Sequence, residues 1–189
     1  YRARPSTLAI NYMVQPAHDG GDTSFCDIVQ GWEALPLEMQ QLAHGLSGMY
    51  AANPRANSKD KGVAIHPLAL PHPRTNRVSL YLSERSKELG LQGMEGKEGR
   101  AMIDEYLRYQ LQADHVYTHR WAPGDVMIWD GGQTLHKRGE FKGPRLAKAV
   151  RAHLPVDSFA APQGSWKDID PASFPHWFFN NAEDEHYRP

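Results

Sequence analysis

The chain has 189 residues, 40% of them hydrophobic, enough for one sizeable core, so a single domain over 1–189 is expected. With 21 Lys and Arg against 22 Asp and Glu, the net charge of -1 leaves no basic excess to hold nucleic acid or an anionic membrane surface. A single cysteine, Cys26, excludes an internal disulfide and suits a reducing, cytoplasmic setting. No apolar run approaches the roughly 20 residues that span a bilayer, so no membrane partner is expected. The first residue is Tyr1, not methionine, and an apolar run follows almost at once; the chain reads as the later part of something longer.

Taken in order, the elements are mixed but strand-led. Thr7–Val14, rich in Leu, Ile, Tyr and Val, predicts a strand, and Pro16–Asp22 with Gly20-Gly21 a loop. Asp27–Leu35 and Leu37–Gly45 predict helices, with Pro36 acceptable in the first turn of the second. The polar segment 51–62 predicts a mobile excursion. Val63–Leu70 and Arg77–Leu82 predict two strands joined by a turn. Met102, Ile103, Tyr106, Leu107 and Leu111 form a helical stripe within Gly96–Gln112. Strands follow at Val116–Trp121, Val126–Trp129 and Leu146–Leu154. The tail beyond Pro155 carries Trp166, Phe174, Trp177, Phe178 and Phe179, which marks 156–189 as a packing extension and leaves a homo-oligomeric contact open.

The most informative stretch runs from Pro123-Gly-Asp-Val-Met-Ile-Trp129-Asp130 through Gly-Gly-Gln-Thr-Leu-His136 to the strand that holds Arg151. A neutral imidazole can ligate a metal, and a guanidinium can grip a carboxylate through a planar fork. Alternation in the last strand puts Arg151 on a face with Ala147 and Ala149, which leaves room beside a long side chain. Taken alone, an arginine facing solvent is the commoner case. Thr23 by itself reads as a turn or helix-cap residue. His115 and His119 do not favour an independent metal site, and His66 and His72, beside prolines, read as structural hydrogen-bonders. Cys26 lacks an evident base and reads as packed. Gly20-Gly21 is not followed by Lys-Ser/Thr, so a phosphate loop is excluded.

Four segments, GGDTSFCDIVQGWEALP (20–36), IHPLALPHPRTNRVSLYL (65–82), WAPGDVMIWDGGQTLH (121–136) and the strand ending in Arg151, stand in the order of a known family. Together they resemble the taurine dioxygenase / 2,4-dichlorophenoxyacetate dioxygenase family of iron(II)- and 2-oxoglutarate-dependent oxygenases. The resemblance implies a mainly β fold with flanking helices, a double-stranded β-helix (cupin-like jelly roll), here N-terminally incomplete. It makes His136 the distal metal ligand and Arg151, 15 positions on (151 − 136), the partner of the 2-oxoglutarate C5 carboxylate. Thr23 would share that carboxylate, and Trp129 would wall the pocket. The family's other two ligands come as His-x-Asp or His-x-Glu, a pattern that none of the ten histidines here begins. In relatives it precedes the Gly-Gly-Asp-Thr turn by a distance that falls upstream of Tyr1, where the pair is expected. Gly131-Gly132 stands where relatives often carry Asn-Arg. The implied activity is hydroxylation of a small organic substrate by dioxygen, with release of succinate and carbon dioxide. The alternative is a non-catalytic jelly-roll module that binds a small molecule or regulates.

Overall fold

The computed structural model describes residues 7–51, 63–73, 75–94 and 96–152, with residues 151 and 152 described through their backbone alone. Residues 52–62 and the aromatic tail, with the expectations placed on them, lie outside the described residues. The strands are β1 (Leu8–Gln15), β2 (Asp19–Gly20), β3 (Thr23–Asp27), β4 (Ser47–Ala51), β5 (Val63–Pro67), β6 (Ala69–Pro71), β7 (Val78–Leu80), β8 (Val116–His119), β9 (Val126–Asp130), β10 (Thr134–Arg138), β11 (Phe141–Lys142) and β12 (Leu146–Ala152). Three α-helices accompany them: α1 (Ile28–Glu33), α2 (Leu37–Ala43) and α3 (Gly96–Gln110).

Two antiparallel sheets form the frame, one ordered β12-β1-β9 and the other β10-β3-β8. They meet through a small aromatic core. Phe25 of β3 lies edge-on to Trp129 of β9 with centroids 5.2 Å apart, and Ala9 and Met127 close the gap. Strand β1 shows why the sheets face this way. Its side chains alternate, with Ala9 and Met13 buried while Tyr12 faces out. Across the register Ile10 pairs with Val150 and Ile128, and these two partners are each 57% exposed, so their row is the outer one. Ala9 and Trp129, paired across the sheet, are both buried and mark the inner row, and the backbone of Arg151 pairs with Ala9 on its other side.

A helical layer packs beside the frame. Trp32 and Leu35, Leu46, Leu68 between β5 and β6, Leu80 of β7, and Ile103, Tyr106 and Leu107 of α3 make the larger core. Each such aliphatic side chain stabilises the fold by about 1.5–3 kcal/mol through its removal from water. Helix α1 lies so close to α3 that a Cβ on Gly31 would sit 2.9 Å from Gln110 Cγ. Among the described residues no helix is long and apolar enough to cross a membrane.

Several expected elements differ. Thr23 opens strand β3 and does not cap a helix; Asp27 caps α1, its Oδ1 accepting from the backbone N–H of Val29 at 2.8 Å and of Gln30 at 3.2 Å. The apolar segment 63–70 breaks at Leu68, whose N–H bonds Leu46 O and whose side chain turns into the core, so β5 pairs with β4 and β6 with β7. Helix α2 begins after Pro36 and ends at Ala43, and α3 ends at Gln110. His115 lies in a short 3-10 turn before β8, not on the strand with His119.

Candidate active site

Two glycines place Thr23. Gly20 and Gly21 adopt φ of +70° and +82°, a backbone region open to glycine at no steric cost. At Gly20 a Cβ would lie 2.3 Å from Glu140 O, the same carbonyl that accepts from Gly21 N–H at 2.8 Å. The turn delivers Thr23 to the inner face, where it is 3% exposed. Its Oγ1 accepts from the Trp121 indole N–H at 2.9 Å, which leaves the hydroxyl proton free to be donated elsewhere.

His136 on β10 pairs across the sheet with Phe25 and lies on the same face. Its ring centroid is 4.9 Å from Trp129 and 6.5 Å from Phe25. Beside it opens a cavity of about 670 Å³ that passes from Ala9, Trp129 and His136 to Tyr50, Tyr81, Leu82 and Leu107. The backbone of Arg151 pairs with Ala9, which on its other side pairs with Trp129. Trp129 and His136 line this cavity, while Thr23 lies on the face of β3 that carries Phe25.

The segment that joins Trp129 to His136 is well tied despite its two glycines. Gly131 N–H bonds Thr7 O at 2.9 Å, Gly132 N–H bonds Asp130 Oδ1 at 2.7 Å, and Ser79 Oγ donates to Gly132 O at 2.8 Å. Ile28 N–H closes the turn on Gln133 O at 3.1 Å. The bonds use backbone atoms that any residue would offer, so replacing the family's frequent Asn-Arg leaves the turn supported.

Sequence reasoning missed one cluster. Asp125, in the turn before β9, accepts from Ala122 N–H at 2.8 Å and stands 2.9 Å from His119 Nε2. The Ala122 amide, followed by His119, holds its carboxyl below the usual carboxylate range. His119 in turn packs edge-on against Trp121, centroids 4.6 Å apart, and so supports the indole that bonds Thr23. No local signal marks it, because His119 stands opposite Thr23 only through the long-range β3–β8 pairing.

Other side chains have structural employment. Burial, with the Asp27 carboxylate next to it, pushes the Cys26 thiol up to about 11, and its Sγ approaches Gln110 O at 3.3 Å. His115 Nδ1 donates to the same carbonyl at 3.1 Å. His66 is buried between the rings of Tyr50 and Tyr81. His72 bonds Asp130 at 3.0 Å. No three metal-ligating side chains gather among the described residues.

Facing antiparallel sheets that meet through a small aromatic core, with helices packed on one side, define a jelly-roll protein of the double-stranded β-helix type. Within that class the chain belongs to the taurine catabolism dioxygenase TauD, TfdA family, which matches residues 1–153. It is 32% identical over 129 residues to the alpha-ketoglutarate-dependent 2,4-dichlorophenoxyacetate dioxygenase of Cupriavidus pinatubonensis, covering 62% of this chain and 44% of the relative. It is 25% identical over 191 residues to pentalenolactone F synthase of Streptomyces arenae, covering 88% and 62%. The chain therefore spans about half the length of the curated relatives it matches. The fold is shared with AAD-2 solved with Mn(II) and N-oxalylglycine, at TM-score 0.71 and 22% identity over 80% of this chain and 64% of that one. A 2,4-D dioxygenase-like structure from Burkholderia xenovorans matches at TM-score 0.69 and 24% identity, covering 78% and 62%.

Proposed function

We propose that the protein is an iron(II)- and 2-oxoglutarate-dependent oxygenase acting on a small organic substrate, with His136 as a metal ligand and Arg151 and Thr23 as the cosubstrate's carboxylate site. The observation that carries the reading is His136, exposed and set against the Trp129 ring at the mouth of a cavity, in a chain of this family.

The residues present fit the group in their donor chemistry. A neutral imidazole suits iron, and the Thr23 hydroxyl has its oxygen engaged by Trp121 and its proton to give. The reading calls for a second imidazole and a carboxylate from outside the described residues. When bound, iron(II) with 2-oxoglutarate would supply the activation of dioxygen, one oxygen atom going to a substrate C–H bond and the other to succinate as carbon dioxide is released. The chain's own part is orientation and exclusion of water. Arg151 answers the far carboxylate with a charge and Thr23 with a hydrogen bond, so the diacid is held at one end while its other end points toward His136. Trp129 and Phe25 wall the metal side with aromatic surface. The apolar stretch at Leu82, Leu107 and Leu111 supports an organic substrate with an apolar body.

The test is anaerobic addition of iron(II) and 2-oxoglutarate to the purified protein, read by visible absorbance, then admission of air with succinate measured. A 2-oxoglutarate-dependent band and succinate are expected, both lost in His136→Ala. Absence of any band, with no iron retained on elemental analysis, would leave the non-catalytic small-molecule-binding module as the better description.

A further inference from the structure

We infer that His72 is a positioning residue for the metal site: with Asp130 it forms a clamp that fixes the Gly131–Gln133 turn and hence the direction in which β10 presents His136. The inference rests on the reading of His136 as a ligand.

His72 stands at the end of β6, where the turn to β7 is held by its own backbone, His72 N–H to Arg77 O and Asn76 N–H to His72 O, each 2.8 Å. The Thr75 amide donates to His72 Nδ1 at 3.2 Å, so that nitrogen carries the lone pair and the ring proton resides on Nε2. Nε2–H then donates to Asp130 Oδ2 at 3.0 Å, while Oδ1 of the same carboxylate accepts from Gly132 N–H at 2.7 Å. One carboxylate thus ties the β6–β7 hairpin to the turn between Trp129 and His136. Ser79, buried on the same hairpin, makes a second tie through Gly132 O.

The clamp answers a specific weakness. A turn with two consecutive glycines has a wide range of backbone conformations and no side chains at those two positions to narrow it. A metal ligand must be held to roughly 0.5 Å, and the groups that orient it typically matter 10–100-fold in metal affinity. Neither His72 nor Asp130 borders the cavity beside His136, whereas Gly131 does. His72 acts on that cavity through the turn.

The test compares His72→Leu with His72→Gln, whose amide can still donate to Asp130. In the metal-free protein, amide exchange at Gly132 and the Trp129–His136 ring cross-relaxation are measured by NMR. His72→Leu is expected to speed Gly132 exchange about tenfold or more and to weaken the ring contact, with α3 amides such as Tyr106 unchanged as the folding control. His72→Gln is expected to recover most of both. Iron(II) affinity should fall about tenfold in the leucine variant and recover in the glutamine one. Unchanged exchange, equal behaviour of the two variants, or a loosened turn with undiminished iron affinity each overturns the clamp. A parent protein that takes up no iron(II) overturns the ligand reading itself, and this inference with it.

Discussion

The Thr23 hydroxyl is buried and accepts the Trp121 indole proton, so removing its oxygen strands that half-buried donor as well. Thr23→Val keeps the volume and loses both functions. Stability should drop by about 1–3 kcal/mol, the cost of an unsatisfied donor, measured by urea unfolding. The KM for 2-oxoglutarate should rise in parallel, and Thr23→Ser should retain most of both properties. Cys26 makes an independent check on the packed description. With its thiol raised to about 11 and its side chain buried, alkylation in the native state near pH 8 should be very slow and become fast only on unfolding. Rapid native labelling would contradict that burial. Asp125 links the site to pH. Its folded value is depressed, by the Ala122 amide first and His119 next. Its contribution is therefore complete above the unfolded carboxylate value, about 3.9, and is lost as pH falls through the lower folded value. Thermal melts of Asp125→Asn should show a shallower acid limb below about pH 4 than the parent; identical limbs would remove Asp125 from the account.

Among the elements, β1 and α3 were legible because their patterns are driven by burial that sequence periodicity records directly, and β9 and β12 because they are short apolar, β-branched runs. Met13 and Ala9 are buried between less buried neighbours, and the α3 stripe coincides with the buried Ile103, Tyr106 and Leu107. Strand β3 was not legible. Its residues Thr-Ser-Phe-Cys-Asp are held as a strand by pairing with β10 and β8 on both sides, contacts over 90 residues distant that no local pattern reports. Strand β4 was hidden for the same reason, since Ser-Gly-Met-Tyr-Ala is extended by its partner β5. The candidate site followed a similar division. His136, Thr23, Trp129 and Arg151 came from the resemblance, whereas the Asp125–His119–Trp121 support arises only when β3 lies beside β8. Two substitutions test the element-level description. Gly20→Ala forces a side chain into positive φ and against the Glu140 carbonyl, and should lower stability by about 1–3 kcal/mol. Leu80→Ala opens a cavity in the core under the helices and should lower it by about 2–5 kcal/mol. Neutral melts in either variant would contradict the packing described.

At the scale of the molecule, a helical layer and its larger core brace one side of a jelly roll whose own interior is thinly filled, by Ala9, Phe25, Met127 and Trp129. That division suits a scaffold that must be rigid beside its site and open within it. On the proposed reading, His136 from one sheet and Arg151 from the other address the two ends of a single five-carbon diacid. A crystal structure of the protein grown with manganese(II) and 2-oxoglutarate tests this most directly. The account predicts manganese on the His136 imidazole, with the diacid's distal carboxylate against Arg151 and the Thr23 hydroxyl. Manganese bound away from His136, or a diacid whose distal end touches neither Arg151 nor Thr23, would contradict it.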